Sequence, residues 1–313
     1  MVIDGREGGV DEYRQVPRIK QLCQEYHTDG LMILTTSSVI SGGPSVILSE
    51  AEGSPDFVME FYNPDGSGGM MCGNGGRCIV AFADYLGLKP AAPDGTWHFL
   101  APDGMHEAQI LDRSNISEPS LRDPSHPDGW APPSYTAEGG HGFGDITPIQ
   151  KWIVRLKMID VHGITPVLNG YFLNTGTRHY VQFVNDVDSI DMEEQAKPIR
   201  WAQEFQPEGA NVNFVEVTSE GLKVRTFEKG VEGETLACGT GITASAIAAC
   251  YAEIPDQVGN DGVPDGAFRH ARPRPGISYR LQCRRGDWLS VEFQQDGQNY
   301  TEVYLTGPAE ILP

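Results

Sequence analysis

A short motif, Cys-Gly-x-Gly, occurs once in each half of the chain, and this repeat constrains the fold more than any other feature. The first copy is CGNG at residues 72–75, within "MMCGNGGRCIVAFADYLG", and the second is CGTG at residues 238–241, within "ETLACGTGITASAIAAC". Internal similarity of this kind is a signature of repeated architecture. The repeat therefore predicts two structurally similar halves, each of which contributes one thiol.

Length and composition limit what kind of protein this can be. A chain of 313 residues with 39% hydrophobic and 21% charged residues is long and apolar enough for two folded domains. The net charge of −20 disfavours a nucleic-acid partner, because phosphate backbones bind clustered Lys and Arg. No apolar run is long enough for a membrane span, and the N-terminal segment lacks the apolar core of a signal peptide. We expect a cytoplasmic protein without a membrane partner.

The cysteines predict neither a metal site nor a disulfide framework. They stand at positions 23, 72, 78, 238, 250 and 283, with no Cys-x-x-Cys pair of the kind that binds zinc. Without a secretion signal, structural disulfides are not expected. The thiols should be reduced, and Cys72 and Cys238 are the candidates for reactivity.

Hydrophobic patterns place both motifs at the entrance of a helix. Residues 56–63 alternate as a strand and stop at the turn residues 64–66, and an apolar helical face follows over residues 79–86. In the second half, strand-like residues 211–217 and 222–230 precede the motif, and small residues 243–251 predict a closely packed helix. Further strands are predicted over residues 96–111, 152–161, 171–184, 288–293 and 301–312.

These patterns also suggest domain boundaries. We predict an N-terminal domain over residues 1–113 and a C-terminal domain over residues 151–300, with the final strand near 301–313 returning to the N-terminal domain. Residues 114–150 are rich in Pro, Gly and Ser and predict a loop or linker, and residues 253–276 predict another loop.

A thiol at a helix N-terminus suggests a particular chemistry. The first backbone N–H groups of a helix lack partners within it, and the helix dipole is positive there, which lowers the pKa of a thiol and favours a bound carboxylate. Two such helices facing each other would grip an amino acid's α-carboxylate and place one sulfur on each side of its α-carbon. A thiolate could then remove the α-proton while the opposite thiol delivers one, which inverts the centre.

The two motif regions resemble a known family. "NPDGSGGMMCGNGGRC" and "FEKGVEGETLACGTG" are similar to the two signature stretches of diaminopimelate epimerase, as are "EGANVNFVEV" and "LTGPAEIL". The resemblance implies an α+β fold of two pseudo-symmetric domains, each a curved, mostly antiparallel sheet or barrel around a central helix. It also implies cofactor-independent epimerisation of the small molecule LL-diaminopimelate to its meso form, for lysine and peptidoglycan synthesis, by a homodimer.

The resemblance assigns roles to residues of this chain. Cys72 and Cys238 would be the acid/base pair, and Glu228 and His179 would tune the thiols. Glu228 would also bind substrate, together with the other matched positions, through backbone N–H groups or polar side chains: Asn63, Gly73, Asn74, Asn211, Lys229, Gly239 and Thr240.

The sequence departs from the family pattern in four places. The usual opening segment, His-Gly-x-Gly-Asn-Asp-Phe, would precede Met1, so we expect a first strand and one substrate asparagine to be missing. The glycine-rich residues usual before Asp29 are also absent. Thr177 replaces an asparagine, and Lys229 replaces an arginine, whose bidentate grip on a carboxylate becomes a single point charge.

Two alternative functions remain open. One is a related racemase or epimerase of the proline or hydroxyproline type, although Asn74 stands where that branch typically has histidine. The other is a non-catalytic binding protein or an impaired remnant of the family, which the missing opening segment would explain.

Overall fold

The computed structural model describes residues 1–36, 54–68, 73–116, 149–254 and 276–311. Cys72 lies outside the described residues. So do most of the two predicted loops, of which only the margins are described: strand structure reaches residue 116 and resumes at residue 149.

Helices and strands alternate in a similar order in the two halves. The first half runs β1 (Val2–Asp4), α1 (Val16–Glu25), β2 (Leu31–Thr35), β3 (Phe57–Tyr62), α2 (Gly73–Tyr85), β4 (Trp97–Ala101), β5 (Gly104–Ile116), β6 (Ile149–Lys157). The second half runs β7 (Val161–His162), β8 (Thr165–Val167), β9 (Gly170–Asn174), β10 (Arg178–Val184), α3 (Met192–Arg200), β11 (Asn211–Val217), β12 (Leu222–Glu228), β13 (Gly233–Thr235), α4 (Gly239–Tyr251), β14 (Ile277–Gln282), β15 (Trp288–Asp296), β16 (Asn299–Ile311).

The two halves also pair their strands in the same way. In the first half β1 is parallel to β2, β2 antiparallel to β3, β3 parallel to β4 and β4 antiparallel to β5. In the second half the same alternation runs through β10, β11, β12, β14 and β15. Each motif helix connects the strands of the second parallel pair, α2 between β3 and β4 and α4 between β12 and β14. The internal repeat predicted from the two motifs is confirmed at the level of the backbone.

Strands β6 and β16 join the halves into one sheet. Residues 304–311 of β16 pair antiparallel with residues 150–157 of β6, and the other edge of β16 pairs with β15. Within the part of the chain that the structure describes, the strand order therefore runs without a break from β1 to β8. The assignment of these strands to two separate domains stays a prediction.

The sheet curves around the two motif helices. Helix α4 contacts strands on every side, from β9 to β12 and from β14 to β16, and α2 contacts β2, β3, β5, β6 and β16. Helix α4 buries 10 of its 13 residues, mostly Ala and Gly, whose small side chains allow this close approach. Its buried hydroxyls at Thr243 and Ser245 donate to carbonyls one turn earlier, at 3.0 and 2.7 Å, so no polar group is left unpaired by their burial. The predicted fold class is confirmed.

Most predicted elements are present, with shifted boundaries. Residues 56–63 form β3, and the hairpin at 96–111 forms β4 and β5. Helix α4 begins at Gly239 rather than at residue 243, because its first turn is made by the motif glycines themselves. Residues 171–184 form two strands rather than one, since the backbone turns at Gly176, whose φ of +104° suits glycine. No helix within the described ranges is long and apolar enough to cross a bilayer.

Candidate active site

The N-termini of α2 and α4 touch at their first residues. A Cβ atom on Gly73 would lie 3.2 Å from the Gly239 Cα, and a Cβ on Gly239 would lie 3.0 Å from the Gly73 Cα. Any larger residue would force the helices apart, which explains the first glycine of each motif. Because both helices present their positive dipole ends here, the junction favours a bound anion such as a carboxylate.

Side chains of α2 reach across this junction. The Asn74 amide donates to the carbonyl of Ala237 at 2.8 Å, and Ala237 directly precedes Cys238. The guanidinium of Arg77, itself buried, donates to the Asn74 oxygen at 3.0 Å and to the Gly73 carbonyl at 3.2 Å. The first half thus holds the segment that leads into the second cysteine.

Cys238 is the N-cap of α4. Its backbone is extended (φ −124°, ψ 108°), and its sulfur accepts a hydrogen bond from the Gly241 N–H at 3.4 Å, as a Ser or Asp oxygen does at an ordinary N-cap. The sulfur also lies 3.4 Å from the Thr240 hydroxyl oxygen. The thiol is buried at the positive end of a helix.

Glu228, the last residue of β12, contacts this thiol. Its carboxyl accepts a hydrogen bond from the Cys238 thiol and a 2.5 Å bond from the Thr235 hydroxyl of β13. Burial raises the pKa of Glu228, the two hydrogen bonds oppose this rise, and the negative charge of Asp29 adds to it. Glu228 therefore holds a proton more tightly than an exposed glutamate would.

His179 of β10 joins the cluster through Thr240. Its side chain is fully buried, and this burial lowers its pKa to about 3, so the ring is neutral at physiological pH. Its Nε2 lies 2.9 Å from each of the Thr177 and Thr240 hydroxyl oxygens, which are themselves 3.1 Å apart. Thr240 therefore connects the histidine to the sulfur of Cys238.

Asn211 binds neighbouring protein groups. Its amide donates to the Arg178 carbonyl at 3.0 Å and to the Thr177 hydroxyl at 3.3 Å, and its oxygen accepts from the Lys229 backbone N–H at 2.7 Å. Lys229 is exposed. Asn63 lies in the turn after β3, where its side chain donates to the Ser67 hydroxyl at 3.0 Å.

The structure thus gathers part of the predicted set around the helix junction. The residues brought together there are Cys238, Gly239, Thr240, His179, Glu228, Asn211, Gly73 and Asn74. Asn63 instead bonds to Ser67, and the backbone N–H of Lys229 bonds to Asn211 rather than to Cys238.

Sequence reasoning missed Asn213. It is fully buried on β11, and its amide nitrogen lies 3.0 Å from His179 Nδ1. A Cβ atom on Gly241 would collide with the Asn213 oxygen, which explains the second glycine of the second motif. The signal was present in "NVNF", because asparagines two residues apart share one face of a strand, and here that face is buried.

Within the described ranges, no group of three or more His, Cys, Asp and Glu side chains could hold a metal ion. None of the five described cysteines, Cys238 among them, forms a disulfide.

Comparison with solved structures defines the fold. A protein of Pseudomonas aeruginosa described as a predicted epimerase superposes with a TM-score of 0.54 at 10% identity, covering 99% of this chain and 90% of its own. A probable proline racemase from Agrobacterium radiobacter gives a TM-score of 0.50 at 12% identity, covering 90% and 76%. At such low identity these likenesses show a shared fold and nothing more.

Sequence comparison then gives the class and the family. The diaminopimelate epimerase of Flavobacterium psychrophilum is 32% identical over 272 residues, which is 87% of this chain and 82% of the relative. That of Aquifex aeolicus is 33% identical over 269 residues, covering 85% and 77%. The chain is accordingly an isomerase of the epimerase class. The family model for diaminopimelate epimerase matches residues 171–259, and with these relatives it shows that the chain belongs to the diaminopimelate epimerase family.

Proposed function

We propose that this chain interconverts LL- and meso-diaminopimelate without a cofactor, using Cys72 and Cys238 as paired acid and base. One sulfur, as thiolate, takes the α-proton: the carbon–hydrogen bond breaks and a sulfur–hydrogen bond forms. The other sulfur, as thiol, gives its proton to the opposite side of the α-carbon. In the reverse direction the two sulfurs exchange roles, so no oxidant or reductant is needed.

The observation that carries this proposal is the junction of the two helix N-termini at Gly73 and Gly239. Each glycine directly follows a motif cysteine, and consecutive Cα atoms are only about 3.8 Å apart. Unpaired N–H groups of both first turns would hold the substrate α-carboxylate and stabilise the negative charge that develops when the proton leaves.

Glu228 and His179 both influence whether the Cys238 sulfur holds a proton, through different contacts. The Cys238 thiol donates to the Glu228 carboxyl, so the proton occupancies of the two groups are coupled. His179 reaches the same sulfur through the Thr240 hydroxyl.

At the distal end of the substrate, this chain offers weaker polar contacts than the family pattern would. Lys229 offers a single flexible ammonium group where the family has arginine, and Thr177 already contacts Asn211, His179 and Thr240. We therefore expect a raised KM for diaminopimelate, which Lys229→Arg should lower.

The test is proton NMR of the purified chain with LL-diaminopimelate in heavy water under reducing conditions. Loss of the α-proton signal together with appearance of the meso form is expected. Proline and hydroxyproline serve as comparison substrates, and exchange with either of them but not with diaminopimelate would overturn the proposal. Binding of diaminopimelate without exchange would also overturn it.

Cysteine variants test the two-thiol step. Cys72→Ser and Cys238→Ser should each abolish epimerisation. The matched controls are Cys78→Ser on α2 and Cys250→Ser on α4, which keep the same chemistry change at positions away from the helix N-termini and should retain activity. Normal turnover by either Cys72→Ser or Cys238→Ser would exclude the mechanism.

A further inference from the structure

We propose that Asn213 is a positioning residue that fixes His179 as the tautomer protonated on Nε2, so that His179 donates a hydrogen bond toward Cys238 instead of accepting its proton. The tautomer follows from the hydrogen bonds around the ring. Its consequence for turnover rests on the function proposed above.

The orientation of the Asn213 amide is set by a group that can only accept. The Tyr180 carbonyl oxygen lies 2.9 Å from the Asn213 nitrogen, and a carbonyl has no hydrogen to donate. The Asn213 oxygen faces the Thr226 hydroxyl at 2.9 Å, which donates to it. Reversing the amide would bring two carbonyl oxygens together at Tyr180.

This orientation determines the state of the imidazole ring. The second N–H of the Asn213 amide lies 3.0 Å from His179 Nδ1, so Nδ1 must accept and carries no hydrogen. A neutral imidazole has one hydrogen, which is then on Nε2. That nitrogen donates to the hydroxyl of Thr177 or Thr240, each 2.9 Å away.

The tautomer in turn directs the Thr240 hydroxyl. Thr240 accepts a hydrogen bond, either from Nε2 directly or through Thr177, and its own hydrogen is left for the Cys238 sulfur 3.4 Å away. A hydrogen bond donated to sulfur favours the thiolate. In the opposite tautomer Nε2 would accept a threonine hydrogen and draw it away from the sulfur.

The structure holds Asn213 in place from both sides. Thr226 on the neighbouring strand β12 donates to its oxygen, and Gly241 leaves room for that oxygen where any side chain would collide with it. Gly241, the second glycine of the second motif, therefore helps to hold Asn213 in the position from which it contacts His179.

The first test measures the tautomer in the unmodified full chain. The protein is labelled with 15N-histidine, and long-range 1H–15N correlations are recorded at neutral pH, with His179 assigned by difference from His179→Gln. We expect a protonated Nε2 and an unprotonated Nδ1. A protonated Nδ1, or a doubly protonated ring, would overturn the proposal. The readout is independent of turnover, so an inactive chain with protonated Nε2 would contradict the proposed function alone.

The second test reverses the tautomer. Asn213→Asp replaces the donor to Nδ1 by a carboxylate that accepts, so the hydrogen should move to Nδ1. Because one hydrogen bond to the thiolate is lost, kcat should fall by about 10- to 100-fold with little change in KM. The matched control is Asn299→Asp, at a surface asparagine whose oxygen lies 3.0 Å from His162 Nδ1, and it should leave both constants unchanged.

An unchanged His179 tautomer in a folded Asn213→Asp protein, or an unchanged kcat after the tautomer has moved, would overturn the proposal. If Asn213→Asp does not fold, the tautomer of the unmodified chain decides the question by itself.

Discussion

Strands β1 and β2 of the first half form a parallel pair, and so do β10 and β11 of the second half. A helix connects the strands in both pairs, but the side chains that the two pairs bury differ in polarity. Strand β2 buries an unbroken apolar run, residues 31–34. Strand β11 buries Asn211 and Asn213, and β10 buries His179 beside them. The two pairs occupy equivalent places in the repeat.

The repeat therefore preserves the backbone, whereas the polar side chains in direct contact with Cys238 or with His179 all come from the second half: His179, Thr177, Thr240, Glu228 and Asn213. A buried polar group is stable only if it is hydrogen-bonded, so the second half needs a complete set of partners where the first half needs only packing. The two halves should therefore respond differently to pH and to small changes of volume.

Acid sensitivity should separate the two halves most strongly. Unfolded His179 binds a proton below pH about 6.5, whereas the folded ring has a pKa of about 3. Between these values the unfolded state binds more protons, so the free energy of unfolding falls as pH is lowered, by roughly 1.4 kcal/mol per pH unit. Denaturant titrations across this range should show a shallower slope for His179→Gln. His162→Gln, at an exposed ring, is the control. Equal slopes for wild type and His179→Gln would show that buried His179 is not the source of the acid sensitivity.

A smaller but still large effect is expected at Gly241. The Cβ of Gly241→Ala would displace the Asn213 amide and break buried hydrogen bonds, so we expect a loss of about 2–4 kcal/mol in the free energy of unfolding. Gly233→Ala is the matched control, since its Cβ meets nothing within 4 Å. Similar stabilities of the two variants in chemical denaturation would show that the Asn213 site is not tightly packed.

The helix junction should give a more modest effect that both halves share. Gly73→Ala and Gly239→Ala should each cost about 1–3 kcal/mol, because each new Cβ contacts the backbone of the partner helix. One separation of the helices relieves both contacts, so the double variant should cost less than the sum. A strictly additive double-mutant cycle would mean that the two glycines do not share one contact.

The smallest expected effect is a gain of stability. Burial raises the pKa of Glu228 in the folded state above the ordinary value of 4.5. The free energy of unfolding of the protein therefore falls as pH rises above 4.5 and Glu228 has to ionise. Glu228→Gln should therefore unfold at higher denaturant concentration than wild type at neutral pH. Glu302 is a matched contrast, since Lys157 lowers its pKa and Glu302→Gln should lose stability. Destabilisation by Glu228→Gln would contradict the expected cost of its burial.

The sequence predicted those parts of the fold and site that have a short-range pattern. The paired motifs predicted the repeat, and helical periodicity and alternation predicted α2, β3 and β11. Helices α1 and α3 were missed: α1 begins without a side-chain cap, and α3 carries Pro198 in its interior, where proline ordinarily breaks a helix.

The site was harder, because its contacts are made between distant segments. His179, Asn213 and Thr226 meet through the order of β10, β11 and β12, which no single stretch of sequence shows. The resemblance supplied His179 and Glu228 as candidates, but the partners that set their proton states appear only once the strands are paired.

The pairing of β16 with β6 also means that the sheet of the first half can be completed only after the end of the second half has been synthesised. Strand β6 ends at residue 157, yet the strand that covers its second edge spans residues 299–311. Until the ribosome has released those residues, a growing chain exposes the open edge of β6, where another strand could pair. Strand β16 therefore closes the first half as well as the second, and the open edge of β6 stays available for other strands until β16 pairs with it.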